Sequence, residues 1–145
     1  MRLSDLPFPV YGDTSFRGKC PAEAQEQVTF FAMLRREYTG TWGALAVHPR
    51  NEGLKSGGQF ASVQRHAAEG MTKGAADIII PGAPALVIEM KRRDHTQSAW
   101  QNGQIEYLTA AQEAGAFACV ALGHQAAWEA VQAWIGVRAL NSMRS

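Results

Sequence analysis

The sequence predicts a single α/β domain in which a small mixed sheet is flanked by helices. Segments with apolar residues at helical spacing alternate with short apolar runs of strand length, in the order α, β, α, β, β, α, β, α. Two of those runs, 76–80 and 85–91, are separated only by Pro81-Gly82-Ala83-Pro84, which is turn composition. The 145 residues are 46% hydrophobic and 19% charged, an ordinary globular balance that sets aside disordered, collagen-like and coiled-coil chains.

Residues 1–21 scatter Pro7, Pro9, Gly12, Gly18 and Pro21 among Phe8, Tyr11 and Phe16, and read as an extended arm ahead of one domain over 22–145. The arm's aromatics need a surface, either on this chain or on a partner subunit that it clasps. From Pro21 to about Tyr38, the positions Glu23, Gln27, Phe30, Phe31 and Leu34 fall on one helical face. Gly40 stops that helix, and Ala44 to His48 reads as a short strand closed by Pro49. A polar Gly-rich loop over 50–58 leads to a helix over 59–69 that Gly70 ends. After the 76–91 hairpin, Ser98 is placed to cap a helix running to about Ala114, with Gly115 as its stop. A buried strand over 117–122 and an amphipathic helix over 126–135 complete the order. No repeat at a fixed period and no low-complexity tract interrupts it.

Several function classes are set aside at this level. The apolar runs fall well short of the roughly 18 to 20 residues that span a bilayer. Residues 1–5 carry no leader pattern, so the expected location is the cytoplasm. Cys20 and Cys119 lack CxxC spacing and read as reduced thiols, and His48, His66, His95 and His124 lack zinc-site spacing. No Gly-rich loop joins a strand to a helix, so no nucleotide cofactor is expected. A formal net charge of +1 hardly recommends a nucleic-acid binder. Locally the balance differs, because seven basic residues face four acidic ones from Arg50 to Arg93.

Strand alternation puts Glu89 and Lys91 on one face and Met90 on the other. If the hairpin pivots near Ala83, Asp77 lies across from Glu89. Adjacent carboxylates repel unless a proton or a cation stands between them, and oxygen ligands suit Mg²⁺ or Mn²⁺. Glu23 continues the inward stripe of the first helix and is the candidate third acid, in preference to its rival Glu26, which is expected to face solvent. Gln104 shares a face with Leu108 and Ala111 and is expected to look toward the hairpin, with Gly103 easing close approach. Each residue also has a bland reading. Glu89 and Lys91 are then a solvated pair, Glu23 a first-turn acid favoured by the helix dipole, Gln104 a core-edge hydrogen bonder, and Arg92 and Arg93 a solvated turn.

Taken together, helical Glu23, Gly74-Ala75-Ala76-Asp77, Glu89-Met90-Lys91, Gln104, Gly115 and the loop His48-Pro49-Arg50-Asn51-Glu52-Gly53 resemble the VRR-NUC branch of the PD-(D/E)XK nuclease superfamily. The resemblance covers about residues 21 to 136, and Ala76 stands where the family often has proline. It implies a restriction-endonuclease-like αβββαβ core and hydrolysis of DNA phosphodiester bonds. The implied catalytic set is Asp77, Glu89, Lys91 and Gln104, with Lys91 activating water and Gln104 positioning that lysine or a phosphate. Mg²⁺ or Mn²⁺ would be held by Glu23, Asp77, Glu89 and the Met90 carbonyl. Arg50, Asn51, Lys55, Arg92 and Arg93 would hold the DNA backbone without reading bases. The family's small phage and bacterial members resemble Holliday-junction resolvases and act as homodimers. That implies a homodimeric endonuclease for branched DNA in a bacterial or phage-infected cell. The alternative is a catalytically silent nuclease-fold module that binds DNA or proteins. Retention of Asp77, Glu89 and Lys91 favours the enzyme.

Overall fold

A computed structural model describes residues 2–49 and 60–144. In chain order the elements are β1 (Val10–Tyr11), α1 (Glu23–Glu37), α2 (Trp42–Leu45), α3 (Phe60–Ala68), β2 (Ile78–Ile80), β3 (Leu86–Lys91), α4 (Gln104–Glu113), β4 (Phe117–Leu122) and α5 (His124–Arg144). Short 3-10 turns occupy Leu3–Asp5 and His95–Gln97. The four strands form one mixed sheet in the order β1-β4-β3-β2. β2 runs antiparallel to β3, whereas β3 and β1 both run parallel to β4. Among the described residues no helix is long and apolar enough to cross a membrane.

β3 is the strand on which the domain is built, and all six of its residues are buried. Leu86, Ile88 and Met90 point into a core layer with Phe30 and Leu34 of α1 and Ala127, Val131 and Trp134 of α5. Val87 points the other way, toward Leu108 of α4, Val120 and Phe8. Helices thus cover both faces, and a strand buried on both sides reads as the near-continuous apolar run seen here. The registers Ile78↔Ile88, Ile79↔Val87 and Ile80↔Leu86 pivot the hairpin on Ala83, as expected. The indole N–H of Trp134 donates to the Pro84 carbonyl at 2.8 Å, tying the turn to α5.

Three expectations are corrected. The strand expected over 44–48 is instead the helical turn α2, followed by a single antiparallel bridge from Val47 to Ile79. The cause is Gly43, whose N–H donates to the Tyr38 carbonyl at 2.9 Å and whose Cα lies so close to α1 that a Cβ would meet Arg35, Leu34 and Tyr38 backbone atoms at 2.8 Å. The chain cannot extend away until it has passed that contact. The helix expected from Ser98 starts later, after Gly103 at φ +92°, because the Ser98 hydroxyl is engaged elsewhere. The closing helix is longer than expected, running from His124 to Arg144.

The arm packs on its own chain. Phe8 is buried, Val10 and Tyr11 pair with Val120 and Ala121, and the Val120 N–H donates to the Pro9 carbonyl at 3.0 Å. The arm therefore contributes the fourth strand of the sheet. Arg50, Asn51 and Lys55 lie outside the described residues.

The backbones of Gly74 and Gly103 pass close to each other at the start of α4. Gly74 has φ +78°, and a Cβ there would sit 2.3 Å from the Gly103 carbonyl carbon and oxygen. Gly115 also has a positive φ, +101°, but nothing lies within 4 Å of the position a Cβ would take. Gly115→Ala is therefore expected to lose about 1 kcal/mol of stability, from backbone conformation alone. Gly74→Ala should lose more, by about 2 kcal/mol, because the backbone that begins α4 must also shift. Chemical denaturation of both variants measures the difference, and equal losses would contradict the contact.

Candidate active site

The C-terminal end of β3 carries three buried polar side chains or their partners within a few residues of otherwise apolar core. Glu89 and Lys91 are each 1% exposed, and Gln104, from the first turn of α4, is 5% exposed. The solvated-pair reading of Glu89 and Lys91 is thereby excluded. Gln104 joins them: its amide oxygen accepts from Lys91 Nζ at 3.0 Å, and its amide nitrogen donates to Glu89 Oε2 at 3.4 Å. The Gln101 N–H also donates to the Gln104 oxygen, at 2.8 Å, which fixes the amide with its nitrogen toward the carboxylate. Lys91 makes a second bond, to the Ala99 carbonyl at 2.8 Å, and its ammonium sits 4.4 Å from the ring centre of Trp100. One of its three donors is left for another oxygen.

Asp77 stands at the start of β2, half-buried, with its Oδ2 accepting the Met90 N–H at 2.9 Å. In a strand the N–H and C=O of one residue point to the same side, so the Met90 carbonyl faces the edge that Asp77 occupies. Burial pushes the Glu89 carboxyl well above the usual glutamate range. The neighbouring Asp77 carboxylate and the charge of Glu23 push it further, while Lys91 pulls it back. The other two expected acids are thus both within electrostatic reach of Glu89, which sits at the dry end while Asp77 and Glu23 are half-buried.

Glu23 is held by Ser98, whose hydroxyl donates to Glu23 Oε2 at 2.8 Å and accepts the Arg92 N–H at 2.9 Å. Glu26, expected at the solvent face, is 2% exposed. Its Oε2 accepts the backbone N–H of His124 and lies 2.8 Å from His124 Nδ1, so it caps the first turn of α5. This is why an acid is tolerated there, and it removes Glu26 from the β3 cluster.

Arg92 and Arg93 part company. The Arg92 guanidinium is spent on the Cys20 and Pro21 carbonyls, at 2.6 and 3.1 Å, and orders the chain leading into α1. Arg93 is exposed, with its guanidinium 4.3 Å from the Phe16 ring centre. Sequence reasoning missed three residues that build this region. Ser98 was expected only as a helix cap, and Trp100 carried no periodic signal. Asp94 gathers the Gly18 and Thr96 N–H groups, the Thr96 hydroxyl and the Gln97 amide, which together hold its carboxyl well below the usual range. The Asp94-His95-Thr96 spacing of an Asx-type turn was the available signal for that anchor. His48 is exposed, and its Nδ1 donates to the Asp77 carbonyl at 2.8 Å.

The donor set fits a hard divalent cation. With both carboxyls ionised, Glu89 Oε1 is buried without a hydrogen-bond partner, and the bond it can make to Asp77 needs a shared proton, whose place a cation can take. Among the described residues no three His, Cys, Asp or Glu side chains form a finished metal cage. Two acids and a main-chain oxygen remain, with Glu23 engaged by Ser98; carboxylate, carbonyl and water oxygens are the ligands that Mg²⁺ accepts.

The sequence matches no family model and no curated protein. A solved structure described as a VRR_NUC domain protein is similar to this chain with a TM-score of 0.64 at 21% sequence identity. The match covers 82% of this chain and 92% of the solved one. With its mixed sheet and flanking helices, the chain has a VRR-NUC-like fold.

Proposed function

We propose that the chain is a divalent-metal-dependent DNA endonuclease that hydrolyses phosphodiester bonds in branched DNA as a homodimer. The observation that carries this reading is the buried Glu89–Gln104–Lys91 chain with an unpartnered Glu89 oxygen beside Asp77. A structural network this deep in a core has its polar atoms satisfied. This one leaves a Glu89 oxygen unpartnered in a chain of hydrogen bonds that also holds the Lys91 ammonium, and a reacting phosphate with its attacking water requires an acceptor and a cationic donor together.

Asp77, Glu89 and the Met90 carbonyl would hold Mg²⁺ or Mn²⁺, with Glu23 on the outer side. When bound, such an ion lowers the pKa of its water and neutralises charge on the phosphate oxygens. Lys91 orients the attacking oxygen and stabilises negative charge with its remaining donor, in a site dry enough to strengthen both effects. Gln104 keeps that ammonium aimed, since its oxygen accepts from Lys91 Nζ. Arg93, together with Arg50, Asn51 and Lys55, would grip the DNA backbone, whereas Arg92 acts indirectly by holding the start of α1. A homodimer would present two such sites to two strands of one branch point.

Labelled linear, flap and four-way-junction DNA should be cut with Mg²⁺ or Mn²⁺ and left intact in EDTA. Asp77→Asn and Lys91→Met, both close in shape to the native residue, should fold and lose activity by roughly a hundredfold or more. Paired symmetric cuts in the junction would support the homodimer. DNA binding with no cleavage of any substrate would leave the silent binding module in place of the enzyme.

Glu89 also gives a pH signature in the absence of metal. Its folded pKa lies above the unfolded value near 4.5, so the unfolded chain ionises first and stability falls as pH rises past that value. Glu89→Gln cannot ionise. In EDTA it should melt higher than the native protein at neutral pH, with the gap closing as pH drops below the ordinary glutamate range. A gap that is independent of pH would contradict the raised pKa.

A further inference from the structure

A cavity of about 680 Å³ opens beside the β3 cluster, between the arm and the segment that carries Ser98 and Trp100. Its size falls within the roughly 300 to 1,000 Å³ typical of sites that enclose a small ligand. Leu6, Phe8 and Trp100 give it an apolar and aromatic wall, and Arg2 and His95 also line it. No carboxylate is among its described lining residues, although three acids lie next door. Two of its walls are shared with the cluster: Ser98 donates to Glu23, and the Trp100 ring carries the Lys91 ammonium. A molecule seated here is therefore one side chain away from both a proposed ligand acid and the proposed catalytic lysine.

Aromatic and aliphatic surface with a guanidinium, and no acid, is the chemistry that receives a nucleotide: the base stacks while its phosphate meets the cation. His95 adds a further polar edge. Its Nε2 lies 3.2 Å from the Thr14 carbonyl, which can only accept, so Nε2 carries the proton and Nδ1 faces elsewhere. A base inside continuous duplex is stacked on both faces and cannot enter such a cavity without leaving the helix. A flap nucleotide at a branch point has no pair to break and has lost one stacking neighbour, so its base enters at less expense.

We propose that this cavity is a subsite for one unpaired nucleotide adjacent to the scissile phosphate, so that the feature read in branched DNA is an unstacked nucleotide. The identity of the adjacent bond rests on the nuclease reading; binding of the nucleotide does not. The cavity also explains why the arm belongs to the functional unit, since Arg2, Leu6 and Phe8 come from it.

The test is fluorescence anisotropy in EDTA with the full chain, using a labelled duplex and the same duplex bearing a one-nucleotide or a five-nucleotide flap. The native protein should prefer the one-nucleotide flap to the paired duplex by roughly tenfold, with little gain from the longer flap. Arg2→Glu and Leu6→Ala should bring that ratio close to one, and melting curves verify that both variants fold; Arg2 is exposed, so its variant stands even if Leu6→Ala is destabilised. Equal binding of paired and flapped DNA by the native protein, or parallel weakening of both by the variants with the ratio kept, would overturn the subsite. Cleavage with Mn²⁺ separates the two claims. Cutting without the flap preference overturns the subsite and keeps the nuclease, whereas the preference without cutting overturns the nuclease and keeps the subsite.

Discussion

Gln104 holds Lys91 through its amide oxygen and Glu89 through its amide nitrogen, and much of the surrounding structure serves to keep that side chain in place. A neutral amide between a carboxyl and an ammonium lets both approach without collapsing into an ion pair that would satisfy each other and leave nothing for a ligand. That geometry requires the first turn of α4 to lie against the end of β3. The left-handed Gly103 and the side-chain-free Gly74 permit it, because the two backbones meet where no Cβ fits. The Gln101 N–H then locks the amide. β3 itself must be central, with β2 and β4 on its two edges, so that its last residues are enclosed while Asp77 and Glu23 stay half-exposed.

The segment between β3 and α4 is the second support. Asp94 pins its own turn and the Gly18 N–H, Arg92 clamps the Cys20 and Pro21 carbonyls, and Ser98 links Arg92 to Glu23. One short stretch therefore fixes the start of α1, the arm and the wall around Lys91 at once. Polar groups that would otherwise be left unsatisfied near the site are paired with backbone instead, which concentrates the unsatisfied atom on Glu89.

Much of this was legible in the sequence where periodicity and pairing decide it. The two-residue alternation of β3 separates Glu89 and Lys91 from Met90, and the turn composition centres the hairpin on Ala83, which together bring Asp77 to Glu89. The inward stripe of α1 brings Glu23 close, and the shared face with Leu108 turns Gln104 inward. What stayed illegible depended on contacts between elements. Glu26 reads as a surface acid until the N-terminus of α5 is packed on it. Ala44 to His48 has strand composition, but Gly43 is held against α1. Ser98 has cap chemistry and uses it on Glu23 and Arg92. Local propensity cannot see any of these, because each is settled by a partner twenty or more residues away or by the close passage of two backbones.

The proposed divalent ion would complete a buried acid that the fold leaves unsatisfied. Calorimetric titration of the native protein with Mn²⁺ at neutral pH, in buffers of different ionisation enthalpy, measures this directly. The ion should bind with release of protons, as the raised pKa of Glu89 directs, and Glu89→Gln should lose part of that release along with most of the affinity. No binding by the native protein, or binding with the same proton count in both, would contradict it.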